Sequence, residues 1–214
     1  MDAFNYGQIY YKVTNKDEIH NEFQYKTGLN VDTIPFNDDP TESCVKGGLY
    51  FTDLDHIIEF FNYGCWVREV KIPKDAKVIK DPDGNKWRAD KIILGRRYSI
   101  EEYIKELWNP KKFNWNWSWC LAEYCSDYFE LWWNPKKFNW SYSWCLAEYC
   151  SDQFKLWWKP EKFNWGWSGY LAKYCSEYFE LWWDPKKFDW DYSWGLTEYC
   201  SEYFELWWDP KKFD

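Results

Sequence analysis

The chain has 214 residues, 27 Lys+Arg against 35 Asp+Glu, and a formal net charge of -8. From Glu106 onward 12 basic residues meet 17 acidic ones, so nucleic-acid binding through phosphates, which rests on lysines and arginines displacing counterions, has little to draw on. No window approaches the roughly 18 apolar residues of a membrane span, and the start MDAFNYGQIYYKV lacks the basic flank and apolar core of a secretory signal; a soluble, intracellular protein with no membrane partner is expected.

Residues 1–98 read as a small α+β domain. Gln8–Thr14 (QIYYKVT) and Gly47–Thr52 (GGLYFT) are strand candidates rich in aromatic and β-branched residues. The second runs into DLDHIIEFFNYG, a helix capped by Thr52 or Asp53 and stopped near Gly64. Cys65–Pro73, Ala76–Asp81 and Lys86–Leu94 give three further strands. DPDGN between the last two is a turn in which proline presets φ and glycine accepts positive φ.

Residues 99–214 are repetitive. Of the 20 tryptophans, 18 lie after residue 107, a bias that marks a repeat. LWWNPKKFNW at Leu131–Trp140 returns in near copies from Leu156, Leu181 and Leu206, a period of 25 residues. The spacing predicts a leading helix at 99–108, units near 106–130, 131–155, 156–180 and 181–205, and a partial unit at 206–214. Within a unit, Asn134 before Pro135 signals a one-turn helix, Pro135–Phe138. Ser143 offers a second cap to a long helix, Trp144–Trp157, on which Leu146, Tyr149, Cys150, Phe154 and Trp157 share one face. Such a unit cannot bury that face alone, so the expected architecture is an all-α short-repeat solenoid in which stacked neighbours supply the core.

Six of the eight cysteines fall on the repeat, and Cys125, Cys150, Cys175 and Cys200 form a ladder one rung per unit. Packed helices lie about 8–10 Å apart, too far for disulfides, so the ladder reads as a row of small buried residues. Trp119-Cys120 and Trp144-Cys145 become Gly169-Tyr170 and then Trp194-Gly195, a trade of large for small expected where side chains share limited space.

Little catalytic chemistry is visible. Cys44 or Cys65 could pair with His56 or His20, but no local motif supports it, and neither a zinc pattern nor a phosphate-binding loop is present. No metal and no cofactor is expected. The lysine pairs such as Lys136-Lys137 read as a solvated first turn or as a basic ridge, which Glu161-Lys162 interrupts. The column Trp117, Tyr142, Trp167 and Tyr192 alternates in identity, and is the candidate binding set: a hydrophobic staple before the serine cap, or a stacking surface for a protein, a sugar or a single strand. Trp207 and Trp208, in the partial unit, are candidates for self-association.

At VKGGLYFTDLDHIIEFFNYGCWVREVKIPKDAKVIKDPDGNKWRADKIILG the first half resembles the N-terminal module of repeat proteins from mimivirus-type giant viruses, which commonly precedes ankyrin or other repeats and whose activity is uncharacterised. The Trp-rich units resemble giant-virus repeats but are not ankyrin units, lacking their Thr-Pro-Leu-His signature. The resemblance implies a location in the cytoplasm of an infected cell or in the virion. The strand order is also similar to that of ADP-ribosyltransferase folds, which implies Tyr50 and Thr52 on the NAD-contacting strand and Glu69 as catalytic acid. QIYYKVT lacks the His or Arg that holds the nicotinamide ribose in such enzymes, so a related or decayed fold is implied. The reading that follows is a non-enzymatic interaction protein with an unidentified protein partner.

Overall fold

A computed structural model describes residues 4–82 and 84–212; Asp83 of the predicted DPDGN turn and the last two residues lie outside the described residues. The chain divides into two compact units, Met1–Phe113 and Asn114–Asp214. The segment expected to lead the repeats thus groups with the first unit, and the division falls after Phe113.

The first unit is an antiparallel seven-stranded sheet. Its strands are β1 (Tyr10–Thr14), β4 (Gly28–Val31), β5 (Leu49–Thr52), β6 (Trp66–Lys71), β7 (Val78–Lys80), β8 (Lys86–Ala89) and β9 (Lys91–Ser99), in the order β4-β9-β6-β1-β5-β8-β7. A short hairpin, β2 (Ile19–His20) and β3 (Phe23–Gln24), stands apart from the sheet. The central β1 is buried along its whole length, which is why YYKVT carries no clean alternation. The predicted strand Lys86–Leu94 is two strands divided by Asp90 alone. Because β6, β1 and β5 lie between β9 and β8 in the sheet, one bent segment serves both flanks and the sheet curls round its core. That core is Tyr10, Tyr25, Leu49, Phe51, Val70, Ile72, Ala76, Ala89, Ile92 and Leu94.

The expected helix after β5 is shorter and tighter, a 3-10 helix over Ile57–Tyr63. Neither Thr52 nor Asp53 caps it: the position before its first residue is His56, which makes no side-chain cap, and Asp53 Oδ1 accepts the backbone N–H of His56 at 3.1 Å in the turn leading in. It ends at Gly64, where a Cβ would stand 2.1 Å from the Thr14 carbonyl oxygen. Ser99 caps the helix that begins at Ile100 through a reciprocal capping box with Glu102.

The second unit is a helical repeat, as the period requires, but its helices are short. The expected long helix is broken. Ser143–Tyr149 is helical, Cys150 leaves the helix at φ -126° and ψ 30°, a 3-10 turn covers Ser151–Gln153, and a four-residue helix, Phe154–Trp157, follows. The break is closed by side-chain chemistry. The Cys150 carbonyl accepts the backbone N–H of Gln153 at 3.1 Å and the indole N–H of Trp157 at 2.7 Å, so a carbonyl freed by the kink is not left unpaired in the core.

Of the two expected caps, Asn134 holds but on a turn, and Ser143 does not. Pro135–Phe138 forms a turn, in which the Asn134 side chain accepts from Lys136 at 3.0 Å and its carbonyl from Lys137 and Phe138. Ser143 lies within helical backbone, and the capping side chain is Asn139, which accepts from Ser141 at 3.2 Å. Ser143 is buried, and its Oγ accepts the backbone N–H of Asn164 in the next unit at 3.0 Å.

Candidate interaction surface of the repeats

The joints between units share a serine bond and a thiol contact. Ser118, Ser143 and Ser168 each accept the backbone N–H of residue i+21, at 3.1, 3.0 and 2.9 Å. The thiols of Cys150, Cys175 and Cys200 reach back to the carbonyls of Ala122, Ala147 and Ala172, at 3.8, 3.7 and 3.6 Å. The cysteine ladder is therefore buried and unbridged, as its spacing predicts, and burial pushes the thiols of Cys150 and Cys200 up to about 12. Phe154 and Phe179 are stacked against Tyr178 and Tyr203 of the following unit, with centroids 4.6 Å apart in both. Trp132, Trp157, Trp182 and Trp207 are at most 3% exposed.

The lysine pairs are neither a free ridge nor merely solvated. From the second unit on, the lysine two residues after the repeat proline lies over an indole of the preceding unit. Lys137 covers Trp115, Lys162 covers Trp140, Lys187 covers Trp165 and Lys212 covers Trp190, all 5.4–5.7 Å from the ring centroid. Sequence reasoning missed this role because the pairing joins residues 22 positions apart in different units.

The candidate column Trp117, Tyr142, Trp167 and Tyr192 is half-buried throughout. Trp117 lies 6.1 Å from Trp119, and the Trp167 indole donates to the Ser141 carbonyl of the preceding unit at 3.0 Å. Tyr192 occupies space left by Gly169, where a Cβ would lie 2.8 Å from the ring. The large-for-small exchange thus acts across the joint between units. In the partial unit the two tryptophans separate: Trp207 packs against Cys200 and Phe204 of the unit before it, correcting its placement on open surface, and Trp208 is 47% exposed. A different row faces outward: Leu131, Leu156, Leu181 and Leu206 are 50–56% exposed.

In the first unit, Tyr50 and Thr52 on β5 and Glu69 on β6 flank β1, with Tyr11 registered against both Thr52 and Glu69. Each is tied to its own surroundings. Tyr50 OH accepts from the Val45 amide at 2.9 Å, Thr52 Oγ1 donates to the Asn85 carbonyl, and Glu69 Oε1 accepts from Tyr98 OH at 2.7 Å. Cys44 and His56 do not meet. The Cys44 thiol accepts from Lys86 Nζ at 2.8 Å, which with the Ser43 hydroxyl lowers its pKa, whereas His56 Nδ1 lies 2.6 Å from Asp53. Lys12 is buried, donates to the Tyr50 carbonyl at 3.0 Å and lies over the Tyr25 ring, and its burial lowers its pKa to about 8. Among the described residues no helix is long and apolar enough to cross a membrane.

No family model matches the chain, and no solved structure matches it. Similar curated proteins come from Acanthamoeba polyphaga mimivirus. One putative ankyrin repeat protein is 41% identical over 105 residues, 48% of this chain and 51% of the relative. A second is 38% identical over 109 residues, 44% of this chain and 35% of the relative. An uncharacterised protein of the same virus is 39% identical over 102 residues, 47% of this chain and 71% of its own length. The chain spans about half the length of the first of these relatives and about a third of the second.

Proposed function

The chain belongs to a family of mimivirus repeat proteins, and from that premise we propose that it is a non-enzymatic protein–protein interaction or scaffolding protein. Its Trp-packed units would form an α-solenoid that presents one periodic surface to a partner. The observation that carries this reading is the joint itself. The same serine, cysteine and lysine contacts recur between successive units, so the array holds a rigid, regular face, and rigid faces lose little entropy on binding. The relatives named as ankyrin repeat proteins support the same class of work. The reading places the protein inside an infected cell or in the virion.

Photo-crosslinking tests it. With a crosslinking side chain at surface positions across residues 114–214 of the full chain in expressing cells, a specific protein is expected to crosslink from the repeats. No protein captured from any repeat position overturns the reading. Self-association through the exposed Trp208 belongs to the same proposal; a monomer mass independent of concentration in sedimentation removes it. The ADP-ribosyltransferase-like alternative draws less support, because Tyr50, Thr52 and Glu69 are held by hydrogen bonds to their own domain. Equal label transfer from NAD by the wild type and Glu69→Gln ends that alternative.

A further inference from the structure

The outward leucine row is about half exposed, yet it keeps the same residue from one unit to the next after the first. Leu131, Leu156, Leu181 and Leu206 recur at the 25-residue period after the first unit, which has Glu106 at this position, and are each half or more exposed. Neighbouring surface positions vary, as Glu130 against Lys155 and Asp127 against Glu177. Burial accounts for only about half of each leucine, since the exposed part of the side chain contributes no transfer free energy to folding.

At Leu206 the row adjoins a half-buried indole. The Leu206 carbonyl accepts the indole N–H of Trp183 from the preceding unit at 3.2 Å. It is also strongly charged along its flank. The exposed residues one and four positions before each leucine are Glu130 and Asp127, Lys155 and Asp152, Glu180 and Glu177, and Glu205 and Glu202. Seven carboxylates thus face one ammonium, and that lysine is drawn to the Tyr178 ring at 6.0 Å.

We propose that this leucine row is a docking site for a basic amphipathic α-helix of a partner protein. The inference rests on the interaction reading above and names the partner's chemistry. Packed helices lie about 8–10 Å apart, so four rungs extend over about 24–30 Å. A helix rises about 1.5 Å per residue, and about 16–20 residues cover that length with apolar side chains on one stripe about two turns apart. Leucines on the row meet that stripe, and Lys or Arg beside it meets the carboxylate flank. An acidic helix or an anionic membrane is repelled by the same flank.

A synthetic helical peptide of about 20 residues, with leucines along one stripe and lysine and arginine flanking them, is titrated into the full chain at about 50 mM salt and followed by isothermal calorimetry. Saturable binding is expected that weakens at about 500 mM salt and falls about tenfold or more in the Leu156→Ser/Leu181→Ser chain. Both positions are more than half exposed, and an unchanged circular dichroism melt shows that the variant is folded. Absence of binding, binding unaffected by the leucine substitutions, or equal binding of a charge-inverted peptide overturns the proposal. A protein crosslinked from the repeats whose capture is indifferent to the same substitutions overturns the row while leaving the interaction reading standing. Absence of any crosslink removes that reading whatever the peptide does.

Discussion

The indole nitrogen of Trp157 lies 2.7 Å from the carbonyl oxygen of Cys150, seven residues earlier. The same bond is made by Trp132 to Cys125, Trp182 to Cys175 and Trp207 to Cys200. It fastens the short second helix of each unit across the kink, so one side chain both fills the core and satisfies the backbone that the kink exposes. Trp157→Ala is expected to cost about 3–5 kcal/mol. Leu156→Ala, next to it in sequence but 54% exposed, is expected to stay within about 0.5 kcal/mol. Urea denaturation of the two variants checks the contrast.

The stack of Phe154 on Tyr178 is missing its counterpart one joint earlier, because the position that would cover Phe129 is Gln153. Gln153→Tyr should supply a ring pair worth about 0.5–1.5 kcal/mol. The expected result is a higher urea midpoint with an unchanged slope.

Gly169 gives way to Tyr192, whose ring atoms would lie 2.8 Å from an added Cβ. Gly169→Ala is expected to destabilise by about 1–3 kcal/mol through overpacking. In a double-mutant cycle Tyr192→Ala should remove most of that cost; additive effects would mean that the two residues do not share the space.

Lys12 offers a pH test. Its folded pKa is lowered to about 8 from 10.5 by burial, so between those values the unfolded chain binds the extra proton. Its contribution therefore improves as pH rises from about 8 toward 10.5 and is worst below 8. Lys12→Met should raise the stability of the first unit at pH 7 by up to about 3 kcal/mol, and the advantage over wild type should shrink as pH rises through that window. A constant difference in melting between pH 7 and pH 10 would show that Lys12 is not desolvated.

The thiols should divide by environment. Cys44, exposed and held by Lys86 Nζ at 2.8 Å, is expected to react with a disulfide reagent faster than the buried Cys125, Cys145, Cys150, Cys175 and Cys200, whose pKa values burial raises. Lys86→Met should slow Cys44 at pH 7. Stopped-flow thiol titration of the folded chain reads both effects.

The sequence by itself determined the two-part organisation, the 25-residue period and the burial of the cysteine ladder, because periodicity and residue size act locally and repeat. It also located β1, β5, β6, β7 and the start of β8, where aromatic and β-branched runs are bounded by turn residues. Tertiary structure decided the rest. The helical pattern from Leu146 to Trp157 continues through Cys150, so the kink is invisible until Trp157 folds back onto the freed carbonyl. Asn139 and not Ser143 caps because Ser143 is needed by the backbone of the next unit. Lys86–Leu94 reads as one extended run, and only pairing with opposite flanks of the curled sheet bends it at Asp90. Partners 21 or more residues apart made each of these choices except the kink, and no local propensity records which distant residue will supply the hydrogen bond or fill the space.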